Sequence, residues 1–106
     1  MSKYLIQASY NADGAKGLLK EGGSARKAAV QKVVESLGGT LEAFYFAYGD
    51  VDAYVIVDMP EETAGLAVSL AVNASGAVRA TTIPLIAPEA IDAAAKRSVT
   101  YRAPGT

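Results

Sequence analysis

The segment that most constrains this chain is Ala53-Tyr54-Val55-Ile56-Val57-Asp58-Met59. Ala53, Val55, Val57 and Met59 are all apolar, whereas Tyr54, Ile56 and Asp58, with Asp52 just before them, are mixed. Side chains alternate between the two faces of a strand, so this pattern predicts a strand with one face on a helix-covered core and the other on something less apolar. Thr40 to Tyr48 is rich in aromatics, and Gly49-Asp50-Val51-Asp52 is a short, turn-forming connection, so residues 40–59 read as a β-hairpin.

The flanking residues supply the remaining elements. Lys3 to Tyr10 alternates as a strand, with Tyr4, Ile6, Ala8 and Tyr10 on one side and Leu5, Gln7 and Ser9 on the other. Gly14, Gly17, Gly22 and Gly23 then interrupt the apolar piece Ala15 to Leu19, which predicts one or two helical turns within a loop. Ser24 suits the N-cap of a helix from Ala25 to Leu37, where Val30, Val33, Val34 and Leu37 form the apolar stripe, and Gly38-Gly39 ends it. Pro60, Glu61 and Glu62 open an alanine-rich helix to about Ser75, stopped by Gly76. Ala77 to Ile86 reads as a fourth strand whose Pro84 favours an edge, and Pro88-Glu89 opens a short helix to about Lys96. The tail from Thr100 to Thr106 has no periodicity.

Strand, helix, strand, strand, helix, strand is the split βαβ order. It is an α+β, ferredoxin-like βαββαβ fold, with both helices on one face of a four-stranded antiparallel sheet. The other face, carrying Leu5, Tyr54, Ile56 and aromatics of the second strand, is too apolar to remain in water, so a homodimer or higher homo-oligomer is expected.

At 106 residues and 51% apolar content, one domain spanning 1–106 is expected. Ten basic residues against eleven acidic ones leave a net charge of −1, which offers no electrostatic footprint for nucleic acid. The chain has no cysteine and no histidine. Disulfides, the usual zinc sites, His-ligated haem and Ser-His-Asp or Cys-His catalysis are thereby excluded, and no cofactor or metal is expected. The first residues lack the long apolar run of a signal peptide or membrane span, so a cytoplasmic location is the expectation, with no membrane partner.

Lys3 to Tyr10, Phe44 to Asp58 and the final Ser98-Val99-Thr100-Tyr101-Arg102 together resemble the GYD-domain family over nearly the whole chain. The family's namesake motif, a glycine shortly before Tyr-Asp, stands here as Gly49-Asp50-Val51-Asp52, with Val51 in the tyrosine's place. The family is similar to the dimeric α+β barrel proteins, in which two ferredoxin-like sheets face each other. The resemblance implies that fold and pairing and supplies no established activity.

On the uncovered face, Gln7 and Ser9, Asp52 and Tyr54, and Arg79 and Thr81 fall on neighbouring strands. An amide, a phenol, a carboxylate and a guanidinium among apolar groups suit a pocket for a small polar or aromatic ligand, with Tyr54 donating to an oxyanion and Asp52 acting as a base. The competing reading is that these groups pair across a subunit interface and fix its register. Asp50 and Asp52 are too few ligands for a hard cation and are ordinary turn residues. Gly22-Gly23-Ser24 before Arg26 and Lys27 lacks a phosphate-loop pattern, which leaves capping and solvation as the simpler account. Phe44, Tyr45, Phe46 and Tyr48 suit core and interface better than a stacking platform. Three functions remain: an oligomeric binding or regulatory module, a cofactor-independent oxygenase- or isomerase-like enzyme for a small aromatic or enolisable substrate, and, third, a purely structural assembly protein.

Overall fold

In the computed structural model, which describes residues 2–106, the sheet order is β2-β3-β1-β4 with every pairing antiparallel. The elements among the described residues are β1 (Ser2–Tyr10), α1 (Ala12–Glu21), α2 (Gly23–Ser36), β2 (Thr40–Phe46), β3 (Ala53–Met59), α3 (Glu62–Ala74), β4 (Val78–Leu85) and α4 (Pro88–Ala95). This is the α+β, ferredoxin-like arrangement, carried by an open four-stranded sheet.

The alternation of β3 is realised in full. Ala53, Val55, Val57 and Met59 are all buried on the helix side, and Val34 of α2 closes over them. Tyr4, Ile6, Val30, Leu41, Phe44, Ala64 and Val68 surround this nucleus. Burying one such side chain contributes about 1.5–3 kcal/mol, so these few residues carry much of the hydrophobic stabilisation. Gly39 allows the turn from α2 to approach closely, because a Cβ there would stand 2.8 Å from the Asp58 carbonyl oxygen and 3.0 Å from Val34.

Three helix starts differ from expectation. The glycine-broken segment after β1 forms a full ten-residue helix, α1. Its N-cap is Asn11, whose side-chain oxygen accepts the Gly14 N–H at 2.9 Å while its amide donates to the Gly76 carbonyl. The side-chain cap thus offsets the unfavourable propensity of Gly14 and Gly17. Ser24 is not the cap of α2. That helix begins at Gly23, after Gly22 has turned the chain at φ 85°, a conformation that disfavours any side chain. Pro60 precedes α3 rather than opening it, since Glu61 is the extended N-cap and Glu62 the first helical residue.

Both sheet edges are blunted. On β4 the Asn73 side chain accepts the Ala80 N–H at 2.8 Å and donates to the Ala80 carbonyl at 3.1 Å, occupying the groups that an incoming strand would use. Pro84, four residues on and therefore with the same outward orientation, has no N–H to offer. On β2, the register shifts at Glu42, between Leu41 and Ala43, and a bulge of this kind disrupts the ladder.

Beyond β4 the chain leaves the body. Every residue from Ile83 to Thr106 is exposed, and α4 makes no substantial packing contact with another described element. The radius of gyration is 17.1 Å, against about 13 Å for a compact chain of this length. Among the described residues no helix is long and apolar enough to cross a membrane.

Candidate functional site

The register builds the uncovered face row by row. Tyr45, Tyr54, Gln7 and Thr81 lie side by side across all four strands, because Tyr45 pairs with Tyr54, Tyr54 with Gln7, and Gln7 with Thr81. The next row, Ala43, Ile56, Leu5 and Ile83, is wholly apolar. Beyond it, Lys3 pairs across from Asp58 on one side and Leu85 on the other. Lys3 Nζ donates to Glu42 Oε1 and stands 3.6 Å from Asp58 Oδ2, and the Glu42 hydrogen bond is the main cause that raises the lysine's pKa. At the opposite end Ser9 pairs with Arg79. The face is therefore an aromatic and polar row with an apolar row on one side and a Ser9–Arg79 pair on the other.

The structure thus brings together Gln7 with Tyr54, Gln7 with Thr81, and Ser9 with Arg79. Among the described residues, no side-chain hydrogen bond engages Gln7, Tyr45, Tyr54, Thr81 or Arg79, so their donors and acceptors face outward available to a ligand. Tyr45 is 70% exposed and Tyr54 38%. Ser9 is partly committed, since its hydroxyl donates to the Asp50 carbonyl at 2.8 Å.

Asp52 stands apart. It precedes the first ladder residue of β3, and its Oδ2 accepts the Tyr10 N–H at 2.8 Å, while its own N–H donates to the Ala8 carbonyl at 2.9 Å. These bonds tie the hairpin to the end of β1. The carboxylate opens instead onto a cleft of about 540 Å³ that it shares with Tyr10, Leu18, Phe46 and Tyr48. Burial raises the pKa of the Tyr10 phenol there, only partly offset by Arg26. Arg26 Nε in turn sits 3.0 Å from Glu21 Oε1, an ion pair without hydrogen-bond alignment.

Tyr45 is the residue that sequence reasoning left out of the candidate site. Its position opposite Tyr54 follows from the unbroken register that runs back from the hairpin, Phe46 with Ala53 to Ala43 with Ile56, but the aromatic run Phe44-Tyr45-Phe46 does not by itself say which ring faces outward. A second hollow, of about 100 Å³, lies under the helices among Ile6, Val30, Phe44, Val55, Val68 and Thr82. It is apolar, and the Thr82 hydroxyl beside it has no hydrogen-bond partner.

Searches of the curated proteins and of the solved structures return no match. A protein-family comparison does: the GYD domain matches residues 4–95, which takes in every strand and helix core from Tyr4 to the end of α4 and leaves Ser98–Arg102 outside. With nearly the whole folded chain covered, this protein belongs to the GYD domain family.

Proposed function

We propose that the protein is a homo-oligomeric binding or regulatory module whose uncovered sheet face is closed by a second copy, trapping a small polar or aromatic ligand against the Tyr45–Tyr54–Gln7–Thr81 row. One observation carries the reading: the free hydrogen-bonding groups of that row lie beside an apolar row, on a face that no element among the described residues covers. An apolar surface of this kind loses water favourably, and the two blunted edges direct association to the face. Once water is excluded, hydrogen bonds from Tyr54 and Gln7 orient a ligand strongly, and Arg79 suits an anionic group on it.

The alternative, a cofactor-independent oxygenase- or isomerase-like enzyme, draws less support. It needs a general base beside Tyr54, and the Asp52 carboxylate is turned toward the Tyr10 N–H and the cleft of Leu18, Phe46 and Tyr48 instead. Native mass spectrometry of the purified protein reads assembly and retained ligand together. The expected spectrum shows a dimer or higher species with a bound small molecule, which Tyr54→Phe with Gln7→Leu releases without dissociating the assembly. A monomer, or an oligomer whose bound molecule survives both substitutions, would reject the proposal.

A further inference from the structure

The segment after β4 is largely apolar, and its own body leaves it unused. Ile86, Ile91, Val99 and Tyr101 project from it, with Ile91 58% and Tyr101 74% exposed. Alpha-helices much shorter than about 12 residues are marginal in water without a packing surface. With eight residues, α4 therefore requires something to lie against. The GYD match runs to residue 95, the last of α4, so the helix belongs to the domain rather than to an appended tail.

The chain's own body is poorly placed to supply that surface. Pro88 restricts the residue before it to extended conformations, and Ala87 sits at φ −67°, ψ 147°, so the chain runs on outward from β4 instead of reversing over the sheet. The outward path leads off the open face: Ile83 and Leu85 lie on that face at the end of β4, and Ile86 and Ile91 beyond them are exposed as well. Charge points to the same partner: the arm's acidic Glu89 and Asp92 lie in the first turns of α4 and its basic Lys96 and Arg97 follow it, so its far end is basic, whereas the hairpin end of the body presents the exposed Asp50.

We infer that residues 86–101 form an exchange arm that docks on a second copy of this chain, α4 packing against the copy that covers the sheet face. The inference rests on the proposed pairing of copies and adds to it a reciprocal clasp, each subunit holding the other. Two small cores thereby gain apolar burial that neither has alone.

Hydrogen exchange of the full chain, measured above and below the concentration at which native mass spectrometry shows the assembly dissociating, tests this directly. The amides of Ala90 to Ala95 are expected to exchange at least tenfold more slowly in the assembled state than in the monomer. The full-length double variant Ile91→Asp with Tyr101→Asp is expected to raise the dissociation constant at least tenfold while leaving the exchange of β1 and β3 unchanged. Equal protection of α4 in monomer and assembly would mean that the arm folds on its own body, and would overturn the inference. So would an assembled protein whose α4 exchanges freely, which removes the arm while leaving the sheet-face pairing standing. A protein that stays monomeric at every concentration would remove both.

Discussion

The two faces of β3 share one backbone and one register yet have opposite surroundings. On the helix side Val55 and Val57 are 4% and 2% exposed and touch Val34, whereas on the other side Tyr54 and Ile56 remain in contact with solvent. The difference is set by what the rest of the chain can supply. Its α2 and α3 cover one face, and no third layer follows, because the segment that might have formed one runs away from the body as α4. Stability is therefore concentrated on one face, and the capacity for association and recognition on the other.

Met59→Ala should separate the faces most sharply. Met59 is one of the two largest fully buried side chains, and truncating such a residue removes its transfer free energy and leaves a cavity. A loss of about 2–5 kcal/mol is expected in urea unfolding monitored by circular dichroism. Ile56→Ser, three residues earlier on the open face, should cost the monomer much less, on the order of 0.5–1 kcal/mol. Its larger consequence should be dissociation of the assembly in sedimentation velocity. Were Ile56→Ser as destabilising to the monomer as Met59→Ala, the contrast between the faces would collapse.

The same contrast explains what was legible in the sequence. Alternation located β3 to the residue, because both of its neighbours are strands and its inner face is wholly apolar. It also put Gln7, Ser9, Tyr54, Arg79 and Thr81 on one face, since parity is preserved wherever a ladder is continuous, but it did not say which of them stand opposite one another. Where the ladder stops or slips, parity carries no information. Asp52 shares the parity of Tyr54 but lies outside the ladder, where its carboxylate was free to cap the end of β1, and the bulge at Glu42 shifts Leu41 and Thr40 out of step with the residues that follow. Alpha1 was obscured for another reason: its stability comes from Asn11 bonds and from packing on β1 and α2, neither of which shows in the propensity of a glycine-rich run. The arm was legible as a helix by Pro88 and its alanines, but a pattern of small residues does not say which surface they meet.

The mildest effect expected lies at the seam between the two regions, where Tyr10 ends β1 and faces the cleft beneath α1. Burial raises its phenol pKa above the ordinary value of 10.0, so the folded protein keeps Tyr10 neutral at a pH where the unfolded chain has begun to ionise it. Above that value the unfolded state binds fewer protons than the native one, and stability falls as pH rises toward the folded-state pKa. Below it the two states are equally protonated at this site and the contribution is constant. Tyr10→Phe removes the ionisable group while keeping the ring against Gly14. Thermal melts of the two proteins should coincide at neutral pH and diverge above pH 10, with the variant losing stability less steeply. A variant that melts in parallel with the parent protein across the alkaline range would show that the phenol is as well hydrated in the folded chain as in the unfolded one.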